Sequence, residues 1–185
     1  MIKKYRDFVF RKYNNSFKEL ILIYALIFIV GCLIGYIYEV IFAYFDEGGF
    51  VNRGFLYGPY LPIYGIGAII LTLLLKKFKR YPLCIFFASL FITAIIEYVG
   101  GALLMELFNK RWWDYTGLFL NINGYVCLRS VITFAIGALL LMYIFEPFIR
   151  SIVSKDKYKT GISIYICIFL FVMFIDLILT LSFRY

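Results

Sequence analysis

The chain has 185 residues, of which 64% are hydrophobic and only 16% are charged. This balance excludes an ordinary soluble domain, because a globular core of this size would leave much of the apolar surface in contact with water. The formal net charge of +8 lies mainly in short basic stretches between apolar runs, so it indicates membrane topology and contact with anionic lipid rather than binding to nucleic acid.

The apolar runs divide the chain into an arm and one membrane domain. Residues 1–19 form a basic N-terminal arm, and residues 20–185 form a single transmembrane helical domain. The domain contains runs long enough to cross about 30 Å of hydrocarbon as helices, and these cover about 20–45, 58–75, 82–108, 124–146 and 161–183. The predicted fold class is therefore all-α, a polytopic membrane helical bundle of about five transmembrane helices.

Two stretches interrupt this regular pattern. Proline and glycine crowd the first half of the second run, at Gly58, Pro59, Pro62, Gly65 and Gly67. Membrane helices tolerate such residues where neighbouring groups satisfy the backbone, so the pattern indicates a broken or re-entrant start. The stretch 112–123 fits either a loop or a shallow re-entrant turn.

The distribution of Lys and Arg predicts the orientation. Fourteen of these residues lie in the arm and in the second and fourth connections, and four lie in connections on the opposite side. The positive-inside rule then puts the N-terminus in the cytoplasm and the C-terminus outside. We expect a multi-pass membrane protein.

Four charged side chains lie deep within the apolar runs: Glu39, Glu97, Arg129 and Asp176. Each continues a helical stripe of small or polar residues, and charges at membrane depth normally face the bundle interior or an aqueous cavity. Counted along the helices, all four fall in the outer half of the bilayer. We expect a polar cluster in which Arg129 forms a salt bridge. The favoured partner is Glu97, the second candidate is Glu39 and the third is Asp176. The cluster either binds substrate or only makes helix packing specific.

The outer connections add a second group of candidate residues, which are rich in Gly, Pro, Asn and aromatic side chains. An aromatic belt at the membrane interface explains most of them singly, whereas the amides beside Arg129 either cap a helix or bind a polar ligand. The group comprises Arg53, Gly54, Tyr57, Gly58, Pro59, Pro62, Tyr64, Trp113, Asp114, Asn121, Asn123 and Gly124.

Several classes of chemistry have no matching residues in the chain. It contains no histidine, no phosphate-binding loop of the G-x-x-x-x-G-K-[ST] type and no C-x-x-C pair. We therefore expect no metal site, no cofactor and no ATPase activity, and no catalytic signature is present. The four cysteines are read as small apolar residues of the spans.

Three strings carry a resemblance to a known family: residues 52–65, Trp-Trp-Asp-Tyr at 112–115 and Asn-Ile-Asn-Gly at 121–124. Together with Glu39 and Glu97 they resemble the bacterial ABC transporter permeases of the CmpB-like, type IV group, over about residues 20–145. The resemblance implies a membrane subunit of a transport system. It also implies a separate ATPase subunit, and five spans imply a homo- or hetero-oligomer.

Two other functions remain open at this point. The chain could be a sensor or scaffold that binds other membrane proteins through its glycine stripes. It could also be an enzyme of the outer leaflet that uses Glu39 or Glu97 as a general base and Arg129 as an anion clamp.

The predicted topology can be tested with reporter fusions. A reporter that is active only in the cytoplasm should work when fused after Ser154 and should be silent after Tyr185, because the basic fourth connection stays inside. Activity should be compared at equal expression. The reverse pattern would mean an even number of crossings.

Overall fold

A computed structural model describes residues 2–49 and 54–183 of the chain. It is 77% helical, and the described residues form no strands. The helices are α1 (Ile2–Val9), α2 (Phe17–Glu47), α3 (Pro62–Leu75), α4 (Pro82–Phe108), α5 (Leu128–Leu140), α6 (Glu146–Val153) and α7 (Asp156–Phe183).

Four helical stretches are long and apolar enough to cross a membrane, and they are Phe17–Phe45, Pro82–Phe108, Leu128–Val153 and Asp156–Phe183. The third of them joins α5 to α6 through a π-helical turn at Leu141–Phe145. The predicted all-α membrane bundle is thus confirmed, and its count of about five crossings is close to the four sufficiently long helices among the described residues. The difference lies in the second predicted run.

That run forms only α3, a helix of 14 residues that begins at Pro62. Its length of about 21 Å falls short of the hydrocarbon thickness. Residues 54–61, which precede it, are not helical. The Leu61 N–H donates to the carbonyl of Cys32 at 3.1 Å, and this bond brings the non-helical segment back against the middle of α2.

Close packing of α2 against α3 explains why glycine is needed at Gly35. A Cβ atom added there would clash with the Tyr64 ring, and one added at Gly31 would lie 3.0 Å from the Ala68 Cβ. Small residues at such steps let two membrane helices approach closely. The α2–α3 pair therefore fixes where the Tyr64 side chain lies.

Salt bridges join several elements at one end of the bundle. The buried Glu146 carboxylate accepts from Lys79 at 2.6 Å and from Arg150 of its own helix. Arg150 also donates to Asn15 at 3.0 Å, and Lys159 of α7 contacts Glu19 of α2 at 2.5 Å. The arm, the connection after α3, α6 and α7 thus meet at this end.

The main apolar core lies toward the same end and draws on α2, α3, α4, α5 and α6. Its fully buried members include Ile23, Ile27, Leu75, Ile85, Met142 and Val153. Four members of this core, Ala68, Leu71, Ala138 and Leu141, also line one of the cavities described below.

The α2–α3 contact yields a stability prediction. Gly35→Leu should destabilise the protein by about 1–3 kcal/mol, because the new side chain has to displace the Tyr64 ring. The midpoint of thermal unfolding in detergent measures the effect. Gly161→Leu is the control, since a Cβ at that glycine meets no atom within 4 Å. Equal midpoints for both variants would contradict the packing described here.

Candidate functional site

Two adjoining cavities lie within the helical bundle. The inner chamber has a volume of about 180 Å³ and the outer cavity a volume of about 300 Å³. Glu39, Trp113 and Tyr115 line both of them. These three side chains therefore form the boundary between the two spaces.

The walls of the inner chamber are mostly apolar and come from α2, α3, α4 and the α5–π segment. Its polar side chains are few, namely Glu39, Tyr64, Thr93, Glu97 and Tyr115. A mainly apolar cavity with a few placed polar groups is the usual form of a small-molecule site. Gly67 also lines the chamber, and a Cβ there would meet nothing within 4 Å.

The outer cavity is more polar than the inner chamber. It is lined by Tyr38, Glu39, Phe42, Arg111, Trp112, Trp113, Asp114, Tyr115, Arg129 and Ser130. The residues from 111 to 115 belong to the connection between α4 and α5. This connection therefore forms one wall of the cavity.

Glu97 receives hydrogen bonds from hydroxyl groups. Its two carboxylate oxygens accept from Tyr115 at 3.1 Å and from Ser130 at 2.7 Å. The residue is only 6% exposed. The sequence predicts the Arg129 guanidinium as the first partner of Glu97. The structure instead places the hydroxyl of the next residue, Ser130, against this carboxylate. Ser130 is itself held by Cys127, with which it caps the start of α5.

Glu39 and Arg129 lie near one another around the outer cavity. The Tyr64 hydroxyl donates to the Glu39 carboxylate, which the close approach of Gly35 to the Tyr64 ring makes possible. The Arg129 guanidinium lies over the Phe42 ring, 4.4 Å from its centroid. A cation–π contact of this kind stabilises an arginine at membrane depth.

The connection from 109 to 127 covers the site as a compact folded loop. Tyr115 N–H donates to the Gly124 carbonyl at 2.8 Å, and the Trp113 indole donates to Tyr125 at 2.9 Å. Asn123 and Gly124 both have positive φ, at 52° and 73°. A Cβ on Gly124 would lie 2.6 Å from the Asp114 carboxylate, so the loop requires glycine there.

Polar side chains stabilise this loop from within. Asp114 accepts from the Thr116 hydroxyl and N–H and from Arg111 at 3.2 Å. These bonds, led by the one from the Thr116 hydroxyl, lower the pKa of Asp114 below its ordinary value. Asn121 accepts from the Gly124 N–H at 3.3 Å, and Asn123 donates to the Tyr98 hydroxyl at 3.1 Å.

Asp176 contacts a different set of groups from the other three ionisable residues. Its carboxylate accepts from the N–H groups of Tyr57 and Gly58, at 3.1 and 2.8 Å, and from the Tyr60 hydroxyl at 2.6 Å. These donors all belong to the non-helical segment before α3. The structure thus brings Glu39, Glu97 and Arg129 around the two cavities and gives Asp176 the role of holding this segment.

The other predicted residues of the first outer connection fall into two groups. Gly54, Tyr57, Gly58 and Pro59 belong to the non-helical segment, and Pro62 begins α3. Arg53 lies outside the described residues.

Sequence reasoning missed two site residues, Tyr115 and Ser130, which supply the hydroxyls that reach Glu97. The available signal was their adjacency to predicted site residues, since Tyr115 follows Asp114 and Ser130 follows Arg129. Within residues 2–49 and 54–183, no three His, Cys, Asp or Glu side chains are grouped as for a metal ion.

A family model described as Putative ABC-transporter type IV matches residues 26–181. No curated protein and no solved structure matches the chain. The matched region includes both cavities and the Asp176 contacts.

The role of Asp176 can be tested by removing its acceptors. Asp176→Leu should lower the free energy of unfolding by about 1–3 kcal/mol, because four donors, including the Thr180 hydroxyl, lose a charged partner. Asp176→Asn keeps one carbonyl oxygen and should lower the free energy of unfolding by a smaller amount. Thermal unfolding in detergent provides the measurement, with the exposed Ser182→Leu on the same helix as control. A leucine variant as stable as the unaltered chain would refute the assignment.

Proposed function

Because the chain belongs to the family described as Putative ABC-transporter type IV, we propose that it is the membrane subunit of a transport system. In this role it acts as a permease or as a small-molecule-binding component. The observation that carries the proposal is the pair of adjoining cavities, which share Glu39, Trp113 and Tyr115. A polar entrance followed by an apolar chamber suits a protein that takes up a solute within the membrane.

The interrupted crossing before α3 supports the same proposal. Many transporters place their substrate site beside a discontinuous membrane segment, where non-helical backbone is buried in protein or lines a cavity. In this chain the helix that follows the interruption supplies Tyr64 and Gly67 to the chamber wall. A substrate in the chamber would therefore contact the start of α3.

We further propose a separate ATPase subunit that acts at the end of the bundle carrying Glu146. The sequence has no phosphate-binding loop, so energy from ATP requires a partner. The α6 helix is salt-bridged there to Lys79, and it continues through the π-helical turn into α5, which lines the chamber. Such turns often mark functional positions in helices.

The proposed role is binding and translocation without catalysis, in the bacterial cytoplasmic membrane. Association with another copy or subunit would fit the apolar surface of α7. Among the residues of α7 that the structure describes, only Ile166 and Thr180 are buried.

Thiol labelling tests whether the cavities are open to the outside. In a chain whose four cysteines are replaced by serine, Tyr38→Cys in the outer cavity should react quickly with a charged, membrane-impermeant thiosulfonate added outside. Thr93→Cys in the inner chamber should react more slowly. Phe91→Cys should stay unreactive, because this position on the same helix is 72% exposed yet faces lipid, where thiols do not ionise.

The rates are measured in intact cells or in vesicles of known orientation. If Tyr38→Cys and Thr93→Cys are as inert as Phe91→Cys, both cavities are closed to water. A transport role for them would then be refuted.

A further inference from the structure

The inner chamber has an unusual charge balance. Glu39 and Glu97 both contribute to its wall, whereas none of the described residues that line it is Lys or Arg. The guanidinium groups of Arg111 and Arg129 line the outer cavity instead. A molecule inside the chamber therefore meets carboxylates and no basic side chain.

The groups that donate hydrogen bonds to Glu97 carry no positive charge. The residue is 6% exposed, and the groups that donate to it are the neutral hydroxyls of Tyr115 and Ser130. Hydroxyl donors stabilise a carboxylate but leave its charge uncompensated. At membrane depth such a group calls for a proton or a counter-cation.

The rest of the wall suits a cation that carries an apolar body. Tyr64, Trp113, Tyr115 and Phe134 present aromatic rings to the chamber. The faces of such rings attract ammonium groups when water is excluded. Aliphatic side chains and glycines complete the lining and exclude highly hydrated ions.

The volume limits the size of the ligand. The chamber holds about 180 Å³, whereas an apolar cavity of about 150 Å³ in another protein accommodates benzene. One six-membered ring with a short side chain would therefore fill the space.

Resting on the proposed transport function, we propose that the inner chamber binds a small amphipathic organic monocation, with one ammonium group and one ring-sized apolar body. The ammonium donates to the Glu97 carboxylate and lies within the field of Glu39. The apolar body packs against the aromatic wall and above Gly67.

Other charge types fit the chamber less well. An anion would be placed beside the buried Glu97 carboxylate in a medium of low dielectric constant, where repulsion is strong. A zwitterion would need a basic group next to its own carboxylate, and the arginines of the site line only the outer cavity. The proposal therefore predicts an order of affinity among ligands of equal size.

The order can be measured on the purified chain in detergent. Trp112→Phe leaves Trp113, in the chamber wall, as the sole fluorescent indole. Titration with 2-phenylethylammonium should quench or shift this fluorescence at a lower concentration than phenylalanine, phenylacetate or benzyl alcohol. Tighter binding of phenylacetate or phenylalanine than of the amine would overturn the monocation assignment.

Two substitutions in the same background locate the ammonium and the ring. Glu97→Gln should weaken binding of the amine about 10- to 100-fold, the usual worth of a hydrogen bond to a charged group, and should leave benzyl alcohol nearly unchanged. Gly67→Leu should weaken both, because the leucine fills the chamber. Glu106→Gln, an exposed position on the same helix, should alter neither. Amine affinity that survives Glu97→Gln would refute the proposal.

The outcomes distinguish a failure of the monocation proposal from a failure of the proposed transport function. The ligand series on the chain with glutamate at 97 tests the charge preference even if Glu97→Gln fails to fold. Binding of an anion or zwitterion that Gly67→Leu abolishes would overturn the monocation and retain a transport site. If neither cavity reacts with thiol reagents, the monocation proposal and the proposed transport function would both be refuted.

Discussion

The structure depends on one constraint, that backbone N–H groups at membrane depth need partners within the protein. Residues 54–61 return into the bundle without forming a helix, and their donors are taken up by Asp176 and by the Cys32 carbonyl. Because these bonds hold the segment, α3 begins beside the middle of α2 rather than at the membrane surface. The chamber lies alongside α3, which contributes Tyr64, Gly67 and Leu71 to its wall.

The same constraint explains how the carboxylates of the site are accommodated. Glu39 is bonded to Tyr64 at the start of α3, and Glu97 to Tyr115 of the outer loop and Ser130 of the α5 cap. Each donor comes from a non-helical segment or a helix start, where the chain can direct a hydroxyl inward. Movement of these segments would change the polar surroundings of the chamber directly.

At the opposite end, the buried Glu146 carboxylate ties α6 to Lys79 and Arg150. Removing either cation would leave a buried charge without part of its compensation, which is costly. Salt bridges between several elements thus hold this end together. A bundle fixed in this way suits the proposed binding of a solute in the cavities.

The amino-acid sequence was sufficient to predict the membrane environment, four long helices, and the candidates Glu39, Glu97 and Arg129 that line the cavities. The length of an apolar run and the spacing of polar residues along a helix indicate whether each residue faces lipid or protein, and both can be read locally. Three features emerged only from the packing of the helices: Asp176 holds the segment before α3, hydroxyl groups bind Glu97, and α3 is short. These outcomes depend on helix rotation and on contacts between residues distant in sequence, which periodicity along one helix does not specify.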